Sequence, residues 1–591
     1  MKKRQEIDEK YKWDFRDYFE NDEKWNEAFL DIQKQIVKLK SFNNKLTDEE
    51  NILKYFKLSE KCNVQLQAMY IYSHCKRDVD VANNISQARQ NKLENLLTEY
   101  GVAVSFATPQ LTKLDDNFLT SLLNNKKFAD YSKILRDIIR EKPHTLSEPC
   151  EKIMSLASSF TGDFSQNHSN FDDGDLKFND IKDSKGKSHP MGQSLASEYL
   201  RNSDRILREN AYKELQGAYG RYNNFLTSNY LGSVKKDIFC AKARNFDSAL
   251  DCALFYEDVS SEVYKNLLEN VEKYLPLEHK YFAIKKKLLG LKNFSLADVY
   301  YNPSKLKAKW DYEQALDLVC KGLGLLGEDY VGHIKYMAQN HMIDVYPSEN
   351  KVGGAYQTMA SRKTPRVLTN FVGSFNDVST LAHELGHAMH SVYSDSAQSV
   401  ANADYTIFLA EIASTVNETL LNEFMSETAE TDKEKLFYLN EFLSNFHATV
   451  FRQTMFADFE SQVHSKIENN EEISSKVLNE TYLNLVKKFF GKGVKILSEV
   501  QYEWSRIPHF FNAFYVYKYA TGEVAAINIV ENLKTGRITV DDYKKFLSSG
   551  CTNSPTELLK IVKVDFDTPE PFDVAFEYVN KKLKQFGKLA K

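Results

Sequence analysis

The stretch NDVSTLAHELGHAMHSVYS, residues 376–394, decides how this chain is interpreted. It contains H-E-x-x-H, in which His383 and His387 lie four residues apart, so on a helix both imidazoles project from one face. Glu384 lies beside them, where it can take a proton from a metal-bound water. The apolar residues of the stretch follow helical spacing: Val378, Leu381, Ala382, Leu385, Ala388 and Met389. The stretch therefore predicts a helix that holds a divalent metal ion, as in zinc peptidases.

A catalytic zinc needs a third protein ligand and one open position for water. The metzincin arrangement is excluded, because its Gly and His positions hold His390 and Tyr393. The next helical pattern, residues 404–424, carries Glu411 among apolar residues, where an unpaired carboxylate would be costly. Glu418 lies two turns later on the same face and could hydrogen-bond a ligand histidine. Glu411 is therefore the predicted third ligand, and two solvated surface acids are the alternative interpretation.

Three blocks of the sequence together resemble one known family. The stretch at 376–394, FLAEIASTVNETLL at 408–421 and IPHFFNAFYVYKYATG at 507–522 are similar to the oligoendopeptidase F group of thimet-oligopeptidase-like zinc peptidases. The resemblance extends over most of the chain, including EKYKWDFRDYFENDEKW at 9–25. It implies a zinc-dependent endopeptidase that hydrolyses short unstructured peptides by attack of a zinc-bound water.

Carried over residue by residue, the resemblance implies one Zn²⁺ per chain. The ligands would be His383, His387 and Glu411, and Glu384 would be the general base. The spacing of the residues leads to the same four positions. Two alternatives stay open: a related exopeptidase of the dipeptidyl carboxypeptidase or carboxypeptidase type, and a helical peptide-binding protein without turnover.

The resemblance also implies that His509 and nearby tyrosines stabilise the transition state. Tyr515 and Tyr519 are four residues apart and share a helix face, whereas Tyr517 points elsewhere. We expect Tyr515 to be the catalytic tyrosine, with Tyr519 as the next candidate. Core packing is the alternative role for each ring, because aromatic stripes usually pack.

The predicted fold is mainly α: a multilobed helical zinc metallopeptidase with a small β patch, residues 345–375, beside the motif helix. Residues 1–195 form a predicted N-terminal helical lobe with a hairpin-like segment at 165–191, and residues 196–591 form the catalytic domain. The resemblance implies an internal substrate channel. Gly353 to Tyr356 are expected to form an edge strand beside the substrate.

Composition limits the partners and the compartment. The chain of 591 residues is 42% hydrophobic and 27% charged, with a net charge of −5 and no large basic patch, which argues against nucleic acid as a partner. No apolar run is long enough to cross a membrane, and no secretory signal is recognised. Seven scattered cysteines without C-x-x-C pairs indicate a reducing compartment. We therefore expect a cytoplasmic enzyme whose partners are short peptides.

Three basic residues follow the expected edge strand. Arg362, Lys363 and Arg366 stand where the family usually has a stretch rich in small residues. They suggest the hypothesis that acidic side chains or a free C-terminus are favoured on the peptide.

Overall fold

The computed structural model describes residues 2–304, 306 and 308–591. By spatial contact the chain forms two compact units, each built from three separate segments. Unit 1 comprises Met1–Thr145, Ala308–Phe424 and Asn532–Val564, and unit 2 comprises Leu146–Lys307, Met425–Glu531 and Asp565–Lys591. The predicted division of the sequence at residue 195 stays a prediction, as does the internal channel.

Helices dominate both units, which confirms the predicted mainly α fold. Among the described residues, no helix combines the length and apolar content needed to span a bilayer. In chain order the α-helices are α1 (Asp22–Lys40), α2 (Glu49–Asp78), α3 (Asn84–Val104), α4 (Ala107–Leu111), α5 (Asp116–Leu123), α6 (Ser132–Glu141), α7 (Glu148–Thr161), α8 (Asp163–Asn170), α9 (Gln193–Leu200), α10 (Arg205–Gly220), α11 (Asn223–Ala243), α12 (Ala249–Glu257), α13 (Ser261–Lys273), α14 (Leu275–Leu288), α15 (Tyr312–Gly322), α16 (Glu328–Gln339), α17 (Phe375–Ala397), α18 (Ile407–Glu427), α19 (Asp432–Phe446), α20 (Arg452–Glu468), α21 (Ser475–Phe490), α22 (Tyr517–Lys534), α23 (Val540–Leu547), α24 (Pro555–Leu559) and α25 (Glu570–Leu589).

The strands are short and form three small sheets in the described part of the chain. In chain order they are β1 (Ile181–Lys182), β2 (Ser188–His189), β3 (Phe294–Ser295), β4 (Ile343–Asp344), β5 (Tyr356–Thr358), β6 (Arg366–Leu368) and β7 (Val494–Lys495). Antiparallel β1 and β2 make the hairpin expected within residues 165–191. The first residues of that segment, up to Asn170, belong to helix α8 instead of the hairpin.

Unit 1 begins with the packed helices α1, α2 and α3. Asn21 caps α1 by accepting a hydrogen bond from the Lys24 backbone amide. One face of α1 is apolar and buried at helical spacing, and this face packs into the core of the bundle: Trp25, Ile32, Ile36 and Leu39. The same unit contains the sheet predicted beside the motif helix. Its strand order is β4-β6-β5, with β4 and β6 parallel and β6 and β5 antiparallel.

Unit 2 is centred on α10, α11, α20 and α21, together with the 3-10 segment Ser498–Arg506. The carboxylate of Glu503, in that segment, is buried among them. It accepts hydrogen bonds from Arg452 on α20 and from Tyr482 on α21, each at 2.7 Å. A buried charge needs such partners, so Glu503 ties the elements of this unit together.

Candidate active site

The motif helix α17 has a well-defined start. The Ser374 side chain accepts a hydrogen bond from the Asp377 backbone amide, and the Asp377 carboxylate accepts one from the Ser374 amide, which makes a reciprocal capping box. Gly373 precedes the cap with φ +92°, and a Cβ there would meet the Trp310 carbonyl oxygen at 2.6 Å. The sequence therefore fixes both the first turn of α17 and the approach of the chain to it.

A close contact between α17 and α18 positions the three predicted metal ligands. A Cβ on Gly386 would lie 2.5 Å from the Ser414 Cα and 2.6 Å from the Ala413 carbonyl oxygen. Only glycine allows this approach of two helix backbones. Across the same contact, the Asn417 amide donates to the Ala382 carbonyl oxygen at 3.0 Å. The glycine inside the H-E-L-G-H motif therefore sets the distance between the two helices.

The three predicted ligands meet at one point on this helix pair. His383 Nε2 lies 3.4 Å from Glu411 Oε2, His387 Nε2 lies 3.5 Å from the same oxygen, and the two imidazole nitrogens are 3.1 Å apart. Zinc bonds of about 2.0–2.2 Å in a tetrahedron place ligand atoms about 3.3–3.6 Å apart. The two nitrogen–oxygen distances fall within this range and the nitrogen–nitrogen distance is slightly shorter, so the three side chains lie close to the spacing of tetrahedral zinc ligands.

The electrostatics of this cluster favour a cation. Burial lowers the pKa of His383, but a hydrogen bond to Glu418 and the charges of Glu418, Glu384 and Glu411 outweigh it and raise that pKa to about 9. Burial would raise the pKa of Glu411, but the hydrogen bond and charge of His387 lower it. The surroundings therefore stabilise positive charge between these side chains, as a divalent ion needs.

Glu384 lies on the same helix, but its side chain is more buried than those of the predicted ligands. Only 6% of the residue is exposed, and burial raises the pKa of its carboxyl group above the usual range, with the charges of His383 and His387 opposing the shift. A carboxylate whose pKa lies closer to neutrality exchanges a proton more readily. This environment suits a general base.

Neighbouring side chains orient the ligands. Glu418 Oε1 lies 3.5 Å from His383 Nδ1 and accepts a hydrogen bond from the Ser379 hydroxyl at 3.3 Å. The Ser414 hydroxyl lies 3.3 Å from Glu411 Oε2. A carboxylate on the far nitrogen of a ligand histidine holds the ring orientation and strengthens its basicity. Glu418 thus lies where the spacing predicted it.

His390, the third histidine of the stretch, has another environment. It is 1% exposed, and its ring stacks on Tyr405 with centroids 3.7 Å apart. Burial lowers its pKa to about 3, so the ring is neutral near pH 7. His390 belongs to the core behind the motif helix.

The sheet beside α17 differs in part from the expectation. The edge strand is β5, and it begins at Tyr356, so the predicted strand at Gly353 is wrong in its bounds. Arg366 is 1% exposed and donates to the Asp14 carbonyl oxygen at 2.6 Å. Lys363 donates to the Asp17 carbonyl oxygen at 2.6 Å. The hypothesis that Arg366 binds acidic groups of the peptide is therefore wrong, because its guanidinium group is buried in the core.

Unit 2 holds the second predicted group, around His509 in the 3-10 turn Pro508–Phe511. The Tyr519 hydroxyl lies 3.3 Å from His509 Nε2, and the Tyr515 ring faces the imidazole with centroids 6.0 Å apart at 27°. Burial lowers the pKa of His509. Tyr517 is 0% exposed in the core. Both candidate tyrosines therefore border His509.

A left-handed residue creates this arrangement. Phe514, with φ +56°, lies between the 3-10 turn and α22. Its backbone amide donates to Glu460 Oε1 at 3.1 Å, and its ring packs on His464 with centroids 4.6 Å apart. A bulky residue rarely adopts positive φ unless its surroundings enforce it. This local geometry holds Tyr515 beside His509.

Sequence reasoning missed two residues that support the metal-ligating helices. Ser414 and Asn417 are both fully buried on α18, and Asn417 also accepts from the Tyr330 hydroxyl at 2.9 Å. The available signal was polar residues within a predicted helix that is mostly apolar. Such residues need partners when they are buried.

Comparison with known proteins identifies the family of this chain. The sequence model of Peptidase family M3 matches residues 198–578, and that of Oligopeptidase F matches residues 110–178. Oligopeptidase PepF of Bacillus subtilis is 36% identical over 99% of this chain and 88% of its own length. An oligoendopeptidase F homolog of Lactococcus lactis is 31% identical over 100% of this chain and 98% of its own length.

Solved structures give the same result. A crystallised protein of Chlamydophila abortus has a TM-score of 0.92 at 33% identity and covers 100% of both chains. The oligoendopeptidase-F of Enterococcus faecium has a TM-score of 0.73 at 27% identity and covers 96% of this chain and 98% of its own. Both the sequence and the fold lead to one conclusion. The chain belongs to peptidase family M3, in the oligoendopeptidase F group of metallopeptidases.

Proposed function

We propose that this metallopeptidase is a zinc-dependent endopeptidase that hydrolyses short unstructured peptides. The observation that carries the proposal is the convergence of two imidazoles and one carboxylate, with Glu384 beside them. Two nitrogen ligands and one carboxylate are a ligand set of catalytic zinc sites. Within the described residues, no fourth histidine, cysteine or acidic side chain joins the group, which leaves a coordination position for water or substrate.

Each residue around the metal would have its own role. His383, His387 and Glu411 would hold the metal, and Glu418 would fix the His383 ring. Zinc, when bound, supplies Lewis acidity that activates water and polarises the peptide carbonyl. The Glu384 carboxylate would take a proton from the attacking water and deliver it to the leaving amine nitrogen.

His509 and a tyrosine would stabilise the oxyanion of the tetrahedral intermediate. The family resemblance supports this role, and the cluster in unit 2 supplies an imidazole and two phenol groups as donors. We propose His509 and Tyr515 for this role. Tyr519 is an equally well-placed candidate, because its hydroxyl directly neighbours the imidazole. Preorganised donors of this kind contribute strongly to acyl-transfer catalysis.

Metal analysis joined to cleavage mapping tests the proposal. The purified protein should contain about one zinc per chain, lose activity to a chelator and regain it with added zinc. A nine-residue peptide should be cut at internal bonds, and the same peptide with both ends blocked should still be cut. Failure on the blocked peptide would favour the exopeptidase alternative. Cleavage of a folded protein would contradict the restriction to short unstructured peptides.

A further inference from the structure

A second cavity, within unit 2, is unused by the proposed mechanism. Its volume is about 460 Å³, and residues of α9, α10, α20 and the Ser498–Arg506 segment line it. Neither Glu384 nor the His509 group is part of its wall. The cavity therefore has no role in the proposed hydrolysis.

Positive charge dominates the wall. Arg201, Arg452 and Arg506 line the cavity, and Glu503 is its one acidic lining residue among those described. Glu503 is already engaged, because it accepts from Arg452 at 2.7 Å, from Gln216 at 3.1 Å, from Tyr482 at 2.7 Å and from Arg506 at 3.5 Å. Three guanidinium groups against one engaged carboxylate leave two positive charges in excess. The net charge of the chain is −5, so this local excess of positive charge would attract anions to the cavity.

Two buried polar atoms at the cavity have no hydrogen-bond partner. Arg506 Nε is a donor without an acceptor, and Gln216 Oε1 is an acceptor without a donor. Gln216 is 1% exposed, so water reaches it poorly. Buried groups left unsatisfied are costly, and each instance calls for a missing partner. An anion in the cavity supplies the acceptor that Arg506 Nε lacks.

The first turn of α9 adds donors. Gly192 caps this helix without any side-chain hydrogen bond, and the first-turn residues Gln193 and Ser194 line the cavity. Backbone amides at a helix start attract anions. The helix start supplements the guanidinium groups and the unpaired buried atoms.

We propose that this cavity binds the phosphate group of a small molecule between Arg506, Arg452 and the start of α9. A phosphate dianion matches the two excess charges, and its oxygens accept from guanidinium and amide donors. A carboxylate has a single charge, so it fits less well.

The size of the cavity indicates an organic part next to the phosphate. Its 460 Å³ corresponds to about fifteen waters at about 30 Å³ each, which exceeds one phosphate. Tyr212 and Tyr300 line the cavity and offer ring surface to such a part. Inorganic phosphate and a phosphorylated metabolite share the same anchor chemistry and can be separated by experiment.

Isothermal titration calorimetry of the metal-loaded protein with inorganic phosphate, phenyl phosphate and succinate tests the proposal. We expect one phosphate site per chain, and Arg506→Gln should weaken binding about tenfold or more, because a charge-assisted hydrogen bond is lost. Arg201→Gln should weaken it less. Lys265→Gln, an exposed charge in the same unit, should leave it unchanged. Tighter binding of phenyl phosphate would identify an organic ligand, and equal binding would identify inorganic phosphate.

Several results would overturn the proposal. They are absence of phosphate binding at millimolar concentration, equal affinity in Arg506→Gln, succinate binding as tightly as phosphate, or displacement of phosphate by a short peptide with a free C-terminus. If the heat of phosphate binding disappears when the metal is removed, the anion binds at the metal and not in this cavity. Mass-spectrometric mapping of phenylglyoxal labelling tests the wild type without any variant. Phosphate should protect Arg506 and leave the exposed Arg221 unprotected, and equal labelling of Arg506 with and without phosphate would contradict the site.

Discussion

The α17–α18 ligand group and the His509 group are built in different ways. In the first, regular helix spacing places His383 and His387 on one face, and a glycine contact brings the second helix close. In the second, a 3-10 turn and a left-handed residue at Phe514 bring a histidine and two tyrosines together. One group is fixed by helix periodicity and the other by a local turn.

This difference bears on how each group tolerates change. The ligand group is held by the backbone contact at Gly386 and by the Asn417–Ala382 hydrogen bond, so a change at this helix contact should disturb the predicted ligands together. The His509 group is joined through the 3.3 Å contact between the Tyr519 hydroxyl and His509 Nε2 and through ring contacts, so we expect its members to act more independently. The following predictions test this contrast, from the largest expected effect to the smallest.

Loss of a metal ligand should abolish function. Glu411→Ala removes the carboxylate that both imidazoles face, so bound zinc and peptide hydrolysis should both be lost, as measured by elemental analysis and a peptide-cleavage assay. Glu418→Gln is the matched control, because it alters only the orienting partner. It should weaken zinc about 10- to 100-fold. Stoichiometric zinc in Glu411→Ala would mean that another side chain completes the site.

Glu384→Gln should separate metal binding from chemistry. The amide cannot take up the proton, so kcat should fall by about 10²–10⁴-fold, while zinc content stays the same. Single-turnover peptide hydrolysis together with metal analysis measures both. An activity near that of the wild type would remove Glu384 from the mechanism.

Gly386→Ala should disturb the whole ligand group. The new Cβ would lie 2.5 Å from the Ser414 Cα, and such overpacking costs about 1–3 kcal/mol in the free energy of unfolding. Zinc affinity should fall too, since α18 carries Glu411. Denaturant titration with and without zinc measures this. Gly101→Ala on α3 is the control: nothing lies within 4 Å of its Cβ, so it should be neutral or stabilising by up to about 1 kcal/mol.

The His509 group should respond residue by residue. We expect Tyr519→Phe and Tyr515→Phe to lower kcat by up to about a hundredfold each, with the larger loss marking the hydroxyl that stabilises the oxyanion. Tyr517→Phe lies in the core and should leave kcat within about twofold. Steady-state kinetics on one fluorogenic peptide ranks the three. If both substitutions lower kcat only slightly and equally, the rings of Tyr515 and Tyr519 serve in packing and not in catalysis.

His390 should make unit 1 sensitive to acid. Its pKa in the folded state, about 3, lies below the reference value of 6.5, so the unfolded chain takes up the proton first as pH falls. Stability is therefore unaffected above pH 6.5 and is lost between about pH 6.5 and 3, by at most about 1.4 kcal/mol per pH unit. His390→Phe keeps a ring on Tyr405 and should flatten this dependence in denaturant titrations. An unchanged slope would show that other groups dominate.

The contrast also explains what the sequence could predict. Helix periodicity was enough to predict that His383, His387 and Glu411 converge and that Glu418 lies behind His383, because helix spacing turns sequence distance directly into direction. The position of Tyr515 beside His509 depends on the turn at Phe514, and positive φ at a phenylalanine has no sequence signal. The choice of catalytic tyrosine stays a prediction. The bounds of β5 and the burial of Arg366 depend on tertiary packing.

The order of the segments in unit 1 affects its biosynthesis. Helix α23 covers the back of the motif helix, with the Phe546 ring 5.9 Å from the His390 ring, and Gly550 abuts the Asn402 carbonyl oxygen so closely that no side chain fits. This cover comes from the third segment, Asn532–Val564. During synthesis α17 therefore leaves the ribosome before the segment that covers it. The face of α17 that packs on α23 stays uncovered until residues 532–564 have been made.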